Sequence, residues 1–363
     1  MPRALSSAKL EPQRSADLNF YPISNPAMRI LQVSSARDLG GGETHVLQLV
    51  EALRERGHEV LVAGRSSGPL HPDIKLPFIN SGDIFTALRL RRILKKRSVD
   101  ILHAHVARDY TICAAAAWGI RKLKVIFTRH LLYRVRVHGL YRRVDGWIAT
   151  TSRILKTLQP LSPKLSAVIP NWVDVEKLEY RPHPLHSPLT VGLLGEISPH
   201  KGHDDAIEAV RELGADVRLI VAGKGDRKYV EALKEKAAGL QVDFPGFVSL
   251  PDFFEAVDVL AVPSWEEPFG IVLLEAMAAG VPVVATNRGG PLEIMMSGFH
   301  GILVPPRNPE ALAHGIRCMT ADGKRRSDIT RQARTHVEEN FDIRRVVPRI
   351  EEFYRRAMKN TSV

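Results

Sequence analysis

The sequence predicts two doubly wound α/β domains whose parallel sheets face each other across a cleft, and three observations support this. The chain has 363 residues, which is long for a single core. Short β-rich runs alternate with helical patterns in both halves, as in parallel sheets covered by helices. Between residues 171 and 188 the alternation stops at a segment with three prolines, which predicts a linker.

The linker sets the expected domain boundaries. Residues 1–27 have Ser, Pro and scattered charge but no apolar segment, so we expect a disordered extension and no signal peptide. The N-terminal domain is expected over residues 28–180 and the C-terminal domain over residues 181–342, with a last helix within residues 343–363. A cleft between two such domains is the default place for a ligand.

In the first half, HVLQLVEALRERG (45–57) carries apolar residues at helical spacing and ends at Gly57, a typical helix stop. Further helices are expected at about 84–97 and 107–118. The expected strands are RILQVSS (29–35), EVLVAG (59–64), DILHAH (100–105), KVIFT (124–128), GWIAT (146–150) and LSAVIP (165–170).

The second half restarts the same alternation after the linker. The expected strands are LTVGLLG (189–195), DVRLIVAG (216–223), VDVLAVP (257–263) and VPVVAT (281–286). Helices are expected at 203–213, 227–239, 269–279, 308–320, 323–339 and 343–359.

The net charge of +11 is concentrated in the first half. Residues 1–180 hold 28 Lys and Arg against 15 Asp and Glu, whereas residues 181–363 hold 23 against 25. The densest basic patches lie at 89–97 and 121–143. They predict either a solvated helix face or an acidic partner, namely anionic lipid head groups or an anionic acceptor. Nucleic acid is disfavoured because neither an aromatic-interleaved module nor a zinc module accompanies the basic residues.

The sequence indicates a cytoplasmic protein. Cys113 and Cys318 lie far apart in unrelated contexts, which fits two core thiols in a reducing compartment rather than a disulfide framework or a zinc site. No apolar run approaches the roughly 20 residues of a membrane span. The basic first half leaves open a peripheral position at the inner face of the plasma membrane.

Two loops have the residue types of phosphate sites. In LGGGETHV (39–46), three glycines before a helix would let N–H groups point at an anion, although a tight turn explains them as well. A dinucleotide fingerprint is excluded because His45 stands where G-x-G-x-x-G needs its last glycine. Lys201, in a loop before a second helix, could neutralise a phosphate, but a lone loop lysine is usually solvated.

Three histidines lie at or just past the predicted strand ends of the first domain, where ligands gather in doubly wound sheets. They are His103, His105 and His130. A histidine in such a place is more often structural than catalytic. His130 is the best placed, since its strand is predicted to end at Thr128.

The segment SWEEPFGIVLLEAMAAG (264–280) combines an apolar run with three acids, of which Glu275 lies inside the run. Carboxylates are rarely buried unpaired. The free N–H groups of Gly270 and Ile271 at the predicted helix start would attract phosphate. Glu275 in the first turns could then accept hydrogen bonds from two ribose hydroxyls, or it could form a salt bridge to an arginine.

At these residues the chain resembles a known family. EPFGIVLLEAMAAGVPVVATNRGGPLEIM (267–295) is similar to the signature of the family-4 retaining glycosyltransferases of the GT-B fold, in which one Glu is followed by a second after seven residues. Glu267 and Glu275 fit that spacing and Glu266 does not, so Glu266 is expected to be solvated or bonded within its loop. The resemblance extends over about residues 28–358.

The resemblance implies a nucleoside diphosphate sugar bound mainly by the second domain. By analogy Glu275 binds the donor ribose and Glu267 faces the transferring sugar. Lys201 and the N–H groups of Gly270 and Ile271 would hold the diphosphate. It implies no metal and no further cofactor, and no D-x-D metal motif is evident.

On the other wall, the resemblance places Gly41 and Gly42 near the phosphate and the acceptor. His130 matches an active-site histidine near the donor sugar. The last helix would cross back onto the first domain. The nucleobase would lie against the backbone of Phe247, Val248 and Ser249.

Two positions depart from the family pattern. Glu196 stands where an Arg is usual, in GEISPHKG, which puts an anion where a diphosphate should bind. Either another cation such as Arg288 compensates, or the donor sits differently. Trp172 replaces a linker glycine.

We therefore expect a hexosyltransferase-type enzyme that acts on a glycan or lipid-linked acceptor in cell-envelope polysaccharide or lipopolysaccharide synthesis. A sugar-nucleotide epimerase or a sugar phosphorylase of the same fold remains open. A non-catalytic nucleotide-sugar-binding protein also remains open, because Glu196 could mark a degenerate site. A membrane scaffold is disfavoured, since it would not need the paired glutamates.

Overall fold

The computed structural model describes residues 26–37 and 40–360 and contains two parallel sheets. The extension expected to be disordered, residues 1–27, lies outside the described residues except for its last two. Each sheet has helices on both faces, as the alternation of strand and helix predicts. Across the described part of the chain, no helix is both long and apolar enough to cross a bilayer.

The N-terminal sheet has seven strands in the order β3-β2-β1-β4-β5-β6-β7, and all of its pairings are parallel. Its elements are β1 (Arg29–Ser34), α1 (Gly41–Glu55), β2 (Glu59–Gly64), β3 (Ile74–Lys75), α2 (Ile84–Lys96), β4 (Ile101–Ala104), α3 (Tyr110–Ala117), β5 (Lys124–Arg129), β6 (Gly146–Ala149), α4 (Ser152–Thr157) and β7 (Ser166–Val168).

The C-terminal sheet has six parallel strands in the order β10-β9-β8-β11-β12-β13. Its elements are β8 (Leu189–Leu194), α5 (His203–Leu213), β9 (Val217–Ala222), α6 (Arg227–Lys236), β10 (Gln241–Gly246), α7 (Leu250–Ala256), β11 (Val259–Val262), α8 (Ile271–Ala279), β12 (Val283–Thr286), α9 (Pro291–Ile294), β13 (Ile302–Val304), α10 (Pro309–Thr320) and α11 (Gly323–Asn340). The chain ends in α12 (Ile343–Lys359).

α12 packs on the N-terminal sheet although it follows the C-terminal one. Its buried side chains share a core with α1 and with Ile126 and Ile148 of β5 and β6. Phe353 approaches β6 closely, since a Cβ on Gly146 would lie 2.7 Å from the Phe353 ring. The chain therefore passes twice between the halves.

The two passages run side by side. Val173 pairs with Asp342 in a parallel bridge, with Val173 N–H donating to Phe341 O and Ile343 N–H donating to Val173 O, both at 3.0 Å. Two short backbone segments thus connect the halves, which is a geometry suited to a hinge.

Several elements differ from the sequence predictions. Three strands and three helices were not predicted. The strands at 74–75, 241–246 and 302–304 lie at sheet edges and are too short or too polar to give a periodic signal. The helices α4, α7 and α9 each span two turns or fewer. α1 begins at Gly41 rather than at residue 45. Cys113 is a buried thiol as expected, whereas Cys318 is only partly buried and lies 3.3 Å from His314 Nε2, so its assignment to the core is wrong.

Candidate functional site

The start of α8 is the centre of the candidate site. Gly270 takes a left-handed conformation, with a φ of 94°, and the helix begins at Ile271. The first N–H groups of a helix have no partner within it. Gly270 and Ile271 therefore lie at a helix mouth, as the sequence predicts. Glu267 precedes this mouth and Glu275 lies one turn inside it.

Two glycines fix the backbone of Glu267. Gly290 N–H donates to the Glu267 carbonyl oxygen at 2.7 Å, and Gly289 pairs with Glu267 in a parallel bridge. A Cβ on Gly289 would lie 2.0 Å from that oxygen, and a Cβ on Gly290 would lie 2.1 Å from the Phe269 carbonyl oxygen. The close approach explains the Gly-Gly pair in the signature.

The Glu267 carboxylate is buried and ion-paired. Its Oε2 accepts hydrogen bonds from Lys201 Nζ and Ser264 Oγ, both at 2.8 Å. The Glu267 side chain is 8% exposed, whereas the Lys201 side chain is 26% exposed. The pair therefore lies at the cleft wall with its cation within reach of a ligand.

Lys201 reaches Glu267 because the loops after β8 and β11 pack backbone to backbone. Gly202 has a φ of 74°, and a Cβ there would lie 2.2 Å from the Pro263 carbonyl oxygen. Trp265 N–H donates to the His200 carbonyl oxygen at 2.9 Å. These contacts bring two loops that are distant in sequence to one wall of the cleft.

The Glu275 carboxylate lies one turn inside α8. Among the described residues no hydrogen bond or ion pair reaches its side chain, and burial raises its pKa to about 7. Within the described residues, Glu275 therefore does not form the arginine salt bridge that was the alternative. Such an uncompensated group is costly for folding and is typical of a binding site.

Glu196 is exposed in the loop after β8. Ile197 pairs with Gly225 in a parallel bridge, which places Lys224 at the same level on the neighbouring segment. Within residues 26–37 and 40–360 neither charge has an ion-pair partner. Arg288, the cation expected to compensate for Glu196, instead has its Nε 3.9 Å from Glu266 Oε1.

The N-terminal wall presents a second helix mouth. A Cβ on Gly41 would lie 3.5 Å from Ile271 Cδ1, so the first residues of α1 and α8 meet across the cleft. A Cβ on Gly42 would have no atom of the described residues within 4 Å. Gly42 lines a cavity of about 160 Å³ together with His105 and His130.

His130, which is partly buried, belongs to a group of four histidines whose other three members are buried. Burial lowers the pKa of each member, to about 3 for His103 and about 4 for His130, where the Arg129 charge lowers it further. The rings are therefore neutral at pH 7. A hydrogen bond of 2.6 Å joins His103 Nδ1 and Tyr354 Oη and so connects this group to α12. Its members are His45, His103, His105 and His130.

Trp172, at the position of the linker glycine, is buried against this group. Its ring lies over that of His45, with 3.5 Å between centroids. It shares a core with α1 and α12. The Trp172 side chain therefore fills the space between the linker and α1.

Four residues connect the two halves beside the α8 mouth, and we call them the interdomain clasp. Glu293 accepts hydrogen bonds from Ser152 N–H at 2.7 Å, Ser152 Oγ at 2.6 Å and Arg153 N–H at 3.1 Å. The Arg153 guanidinium contacts Glu266 Oε1 at 2.5 Å. The expectation that Glu266 is solvated or bonded within its loop is therefore wrong.

The predicted nucleobase segment follows β10 at the edge of the sheet. Phe247 is 79% exposed. Ser249 Oγ donates to Asp252 Oδ2 at 2.6 Å and caps α7, so the Ser249 side chain is engaged. The backbone of Phe247, Val248 and Ser249 and the exposed Phe247 ring are therefore left for a ligand.

The structure thus gathers Lys201, Glu267, Gly270, Ile271 and Gly41 around two facing helix mouths. Sequence reasoning did not assign Ser264, which holds Glu267, or the clasp residues. Glu293 stood in the GG-x-x-E part of the signature, and that position was the available signal. Ser152 and Arg153 follow β6 in a segment that carries no pattern of its own.

Residues 39–177 match the family described as Glycosyltransferase Family 4, and residues 178–336 match the family described as Glycosyl transferases group 1. The chain belongs to the family-4 glycosyltransferases. The two matches adjoin within the linker, so each sheet carries one of them. This glycosyltransferase therefore has the family pattern in both walls of its cleft.

Characterised relatives of this glycosyltransferase align over most of its length. The phosphatidyl-myo-inositol mannosyltransferase of Mycobacterium leprae is 29% identical over 338 residues, covering 81% of this chain and 86% of the relative. The D-inositol 3-phosphate glycosyltransferase of Xylanimonas cellulosilytica is 27% identical over 368 residues, covering 82% and 87%.

Solved structures show that the fold is GT-B. Anabaena HepE, crystallised with UDP and glucose, has a TM-score of 0.79 at 22% identity and covers 90% of this chain and 98% of its own. A glycosyltransferase from Rickettsia africae has a TM-score of 0.80 at 23% identity, with coverage of 93% and 100%.

Proposed function

We propose that this glycosyltransferase retains anomeric configuration and moves a hexosyl group from a nucleoside diphosphate sugar to a glycan or lipid-linked acceptor of the cell envelope. One observation carries the proposal. Glu275, which has no partner among residues 26–37 and 40–360, lies one turn inside a helix mouth whose entrance holds the Lys201–Glu267 pair. A carboxylate for hydroxyl groups and a cation with free N–H groups for phosphate therefore lie together.

Glu275 serves the donor ribose. Two ribose hydroxyls can donate to its two oxygens, which replaces the solvation lost on burial. The ionised form is the better acceptor, so donor binding draws the Glu275 pKa down from about 7. The mycobacterial relative is named for mannosyl transfer and HepE is crystallised with UDP, which supports a nucleotide-activated sugar.

The diphosphate is held by Lys201 and by the N–H groups of Gly270 and Ile271. The α8 mouth adds the positive end of the helix dipole. Gly41 and Gly42 offer a second set of N–H groups from the opposite wall. Lys201 is shared, since the diphosphate competes with Glu267 for its ammonium group.

Lys224 offsets Glu196 in this arrangement. Their segments are bridged through Ile197 and Gly225, so a cation stands beside the unexpected anion at the end of β9. We assign to Lys224 part of the role that Arg has in relatives. Exchanging the two charges, in the pair Glu196→Lys and Lys224→Glu, should then preserve donor affinity better than Lys224→Glu alone.

Transfer breaks the bond between the sugar C1 and the phosphate oxygen and forms a bond between C1 and the acceptor oxygen. The C1 centre gains oxocarbenium character, and Lys201 with the helix N–H groups stabilises the departing diphosphate. The acceptor attacks from the face that the diphosphate leaves, and its proton passes to the departing phosphate oxygen. Glu267 and the neutral His130 ring line the position of the transferred sugar. Domain closure excludes water from this position.

The acceptor side carries a surface suited to an anionic membrane. Four apolar side chains are 52–74% exposed at the start of α2 and just before it. Cations continue the same face of the helix, which is the composition of an interfacial helix. The apolar members are Ile79, Ile84, Phe85 and Leu88, and the exposed cations are Arg89, Arg92, Lys95 and Lys96.

Vesicle sedimentation tests this surface. Vesicles containing phosphatidylglycerol should bind the protein at low salt, and high salt should release it. Phe85→Ser should weaken binding at least tenfold, whereas Phe299→Ser, at an exposed phenylalanine of the C-terminal half, should not. Equal vesicle binding by both variants would contradict the proposed membrane surface and would leave the donor-site proposal unaffected.

The donor proposal is tested by a thermal-shift screen with UDP-, GDP- and ADP-sugars, because a ligand of the folded state raises its stability. NMR of the product then reads its anomeric configuration. Release of nucleoside diphosphate with a retained linkage supports the proposal. An isomerised donor, a sugar phosphate or an inverted linkage contradicts it.

A further inference from the structure

We propose that His183, His186 and Asp258 form a binding site for one transition-metal ion of the zinc class, on the side of the C-terminal domain opposite the donor cleft. The metal-free catalysis expected from the sequence concerns the cleft and is separate from this site. The proposal rests on ligand type, ligand spacing and a carboxylate that is already oriented.

The three residues supply the right donor atoms at the right spacing. His186 Nδ1 lies 2.9 Å and His183 Nδ1 lies 3.8 Å from Asp258 Oδ1, and the three ligand atoms lie within 4.8 Å of one another. Zinc bonds of 2.0–2.2 Å in a tetrahedral site place ligand atoms about 3.3 Å apart. The two distances bracket that value. Rotation of the His183 ring, which exchanges its Nδ1 hydrogen bond to the Pro184 carbonyl oxygen at 2.9 Å for a bond to the metal, completes the geometry.

Asp258 is held in place before any ion binds. Its side chain is fully buried. Oδ1 accepts a hydrogen bond from His186 N–H at 2.9 Å, and Oδ2 accepts one from Thr190 N–H at 2.7 Å. Contacts of this kind orient a ligating carboxylate and raise metal affinity.

The histidines lie on a stiff stretch of the linker. RPHPLHSP (181–188) has a proline on each side of His183 and a third after His186. Their side chains are 26% and 43% exposed, so an ion can enter from solvent. His183 and Asp258 also line a cavity of about 240 Å³, which leaves room for water as the fourth ligand.

The site is remote from the reaction. Asp258 immediately precedes β11, and Thr190 is the second residue of β8, so both lie at the amino ends of strands. Lys201 and Glu267 follow the carboxyl ends of the same strands. A bound ion would therefore hold the linker against the amino ends of the C-terminal strands, away from the cleft.

The experiment uses the full chain, freed of metal with a chelator that is then removed, and titrates it with zinc chloride by calorimetry. One equivalent should bind, and His183→Ala and His186→Ala should each weaken binding at least tenfold. Cobalt(II) should give the visible absorption of a low-coordinate site, and both variants should lose it. His300→Ala is the matched control, because His300 stacks on His336 at 4.0 Å and so forms a second, partly exposed histidine pair.

Histidine variants are used because Asp258 also holds backbone N–H groups and its replacement would disturb the fold. Circular dichroism should show both histidine variants folded. Zinc affinity unchanged in His186→Ala, zinc affinity lost in His300→Ala, or no binding by the wild type at micromolar zinc would each overturn the proposal.

Discussion

Glu293 in the C-terminal half accepts hydrogen bonds from both the backbone N–H and the hydroxyl of Ser152 in the N-terminal half. Gly290, three residues before Glu293, holds the backbone of Glu267. The contact that joins the halves and the contact that positions a predicted catalytic carboxylate are therefore parts of one short segment. Closure of the cleft and order at Glu267 should be coupled.

This coupling predicts the effect of Glu293→Gln. Hydrogen bonds to charged groups contribute about 1.5–3 kcal/mol, so kcat/KM should fall roughly 10- to 100-fold. The melting temperature should change little, because the bonded groups are exposed. Steady-state kinetics and a melting curve provide the measurement, with Glu235→Gln on the outer surface as control.

A double-variant cycle separates the clasp from a local effect. Ser152→Ala should lower kcat/KM less than Glu293→Gln, since the backbone N–H still donates. Together the two changes should cost less than the sum of their separate effects. Strict additivity would show that Glu293 acts independently of Ser152.

The Gly-Gly pair gives a prediction with an internal control. Gly289 and Gly298 have almost the same φ, 84° and 83°, but only Gly289 has a backbone atom in the way of a Cβ. Gly298→Ala should cost about 1–2 kcal/mol of stability from its left-handed conformation alone. Gly289→Ala should cost more and should lower kcat at least 100-fold, because Glu267 must move. Denaturant unfolding and kinetics of the two variants make the comparison, and equal losses would rule out the collision.

The alternation of strand and helix, the linker and the return of α12 could be predicted from the sequence, since they depend on periodicity or on a long signature. The edge strands could not, because Ile74 and Lys75 form a strand of two residues with no period. The positions of Lys201 and Glu267 were predictable one by one. Their 2.8 Å contact was not, because it depends on how two loops 66 residues apart pack.

Charge partners were the least predictable feature. Glu266 and Glu267 are adjacent and chemically identical, yet one pairs with Arg153 across the cleft and the other with Lys201. The signature distinguishes their roles by spacing but says nothing about partners. Likewise, Lys224 was not a candidate to offset Glu196 until the bridge between Ile197 and Gly225 placed it on the neighbouring segment.

Glu275 should make donor binding depend on pH. Its folded pKa of about 7 lies above the usual carboxylate value because of burial. Donor hydroxyls favour the ionised form, so donor affinity should rise with pH up to about 7 and then level off. Calorimetry with the nucleoside diphosphate sugar at pH 5.5–8.5 measures this. Glu275→Gln should bind weakly and without that dependence, and an unchanged donor KM would contradict the assignment.

The same raised pKa predicts the opposite trend for stability without donor. The unfolded chain ionises Glu275 at lower pH than the folded protein does, so its contribution to folding becomes unfavourable as pH rises from about 4.5 to 7. Glu275→Gln should therefore stabilise the donor-free protein at pH 8, by roughly 1–3 kcal/mol, and leave it nearly unchanged at pH 4. Urea unfolding at both pH values tests the sign.

Substitutions at Lys201 and Glu267 should affect stability and catalysis to different extents. Lys201→Met leaves the Glu267 carboxylate buried with only Ser264 as partner, so stability should fall by about 3 kcal/mol and donor KM should rise strongly. Glu267→Gln keeps a hydrogen-bond acceptor and should mainly lower kcat. The double variant Lys201→Met with Glu267→Gln removes both charges, so stability should recover while activity stays lost. If the double variant is as unstable as Lys201→Met, the loss comes from packing rather than from the unpaired charge.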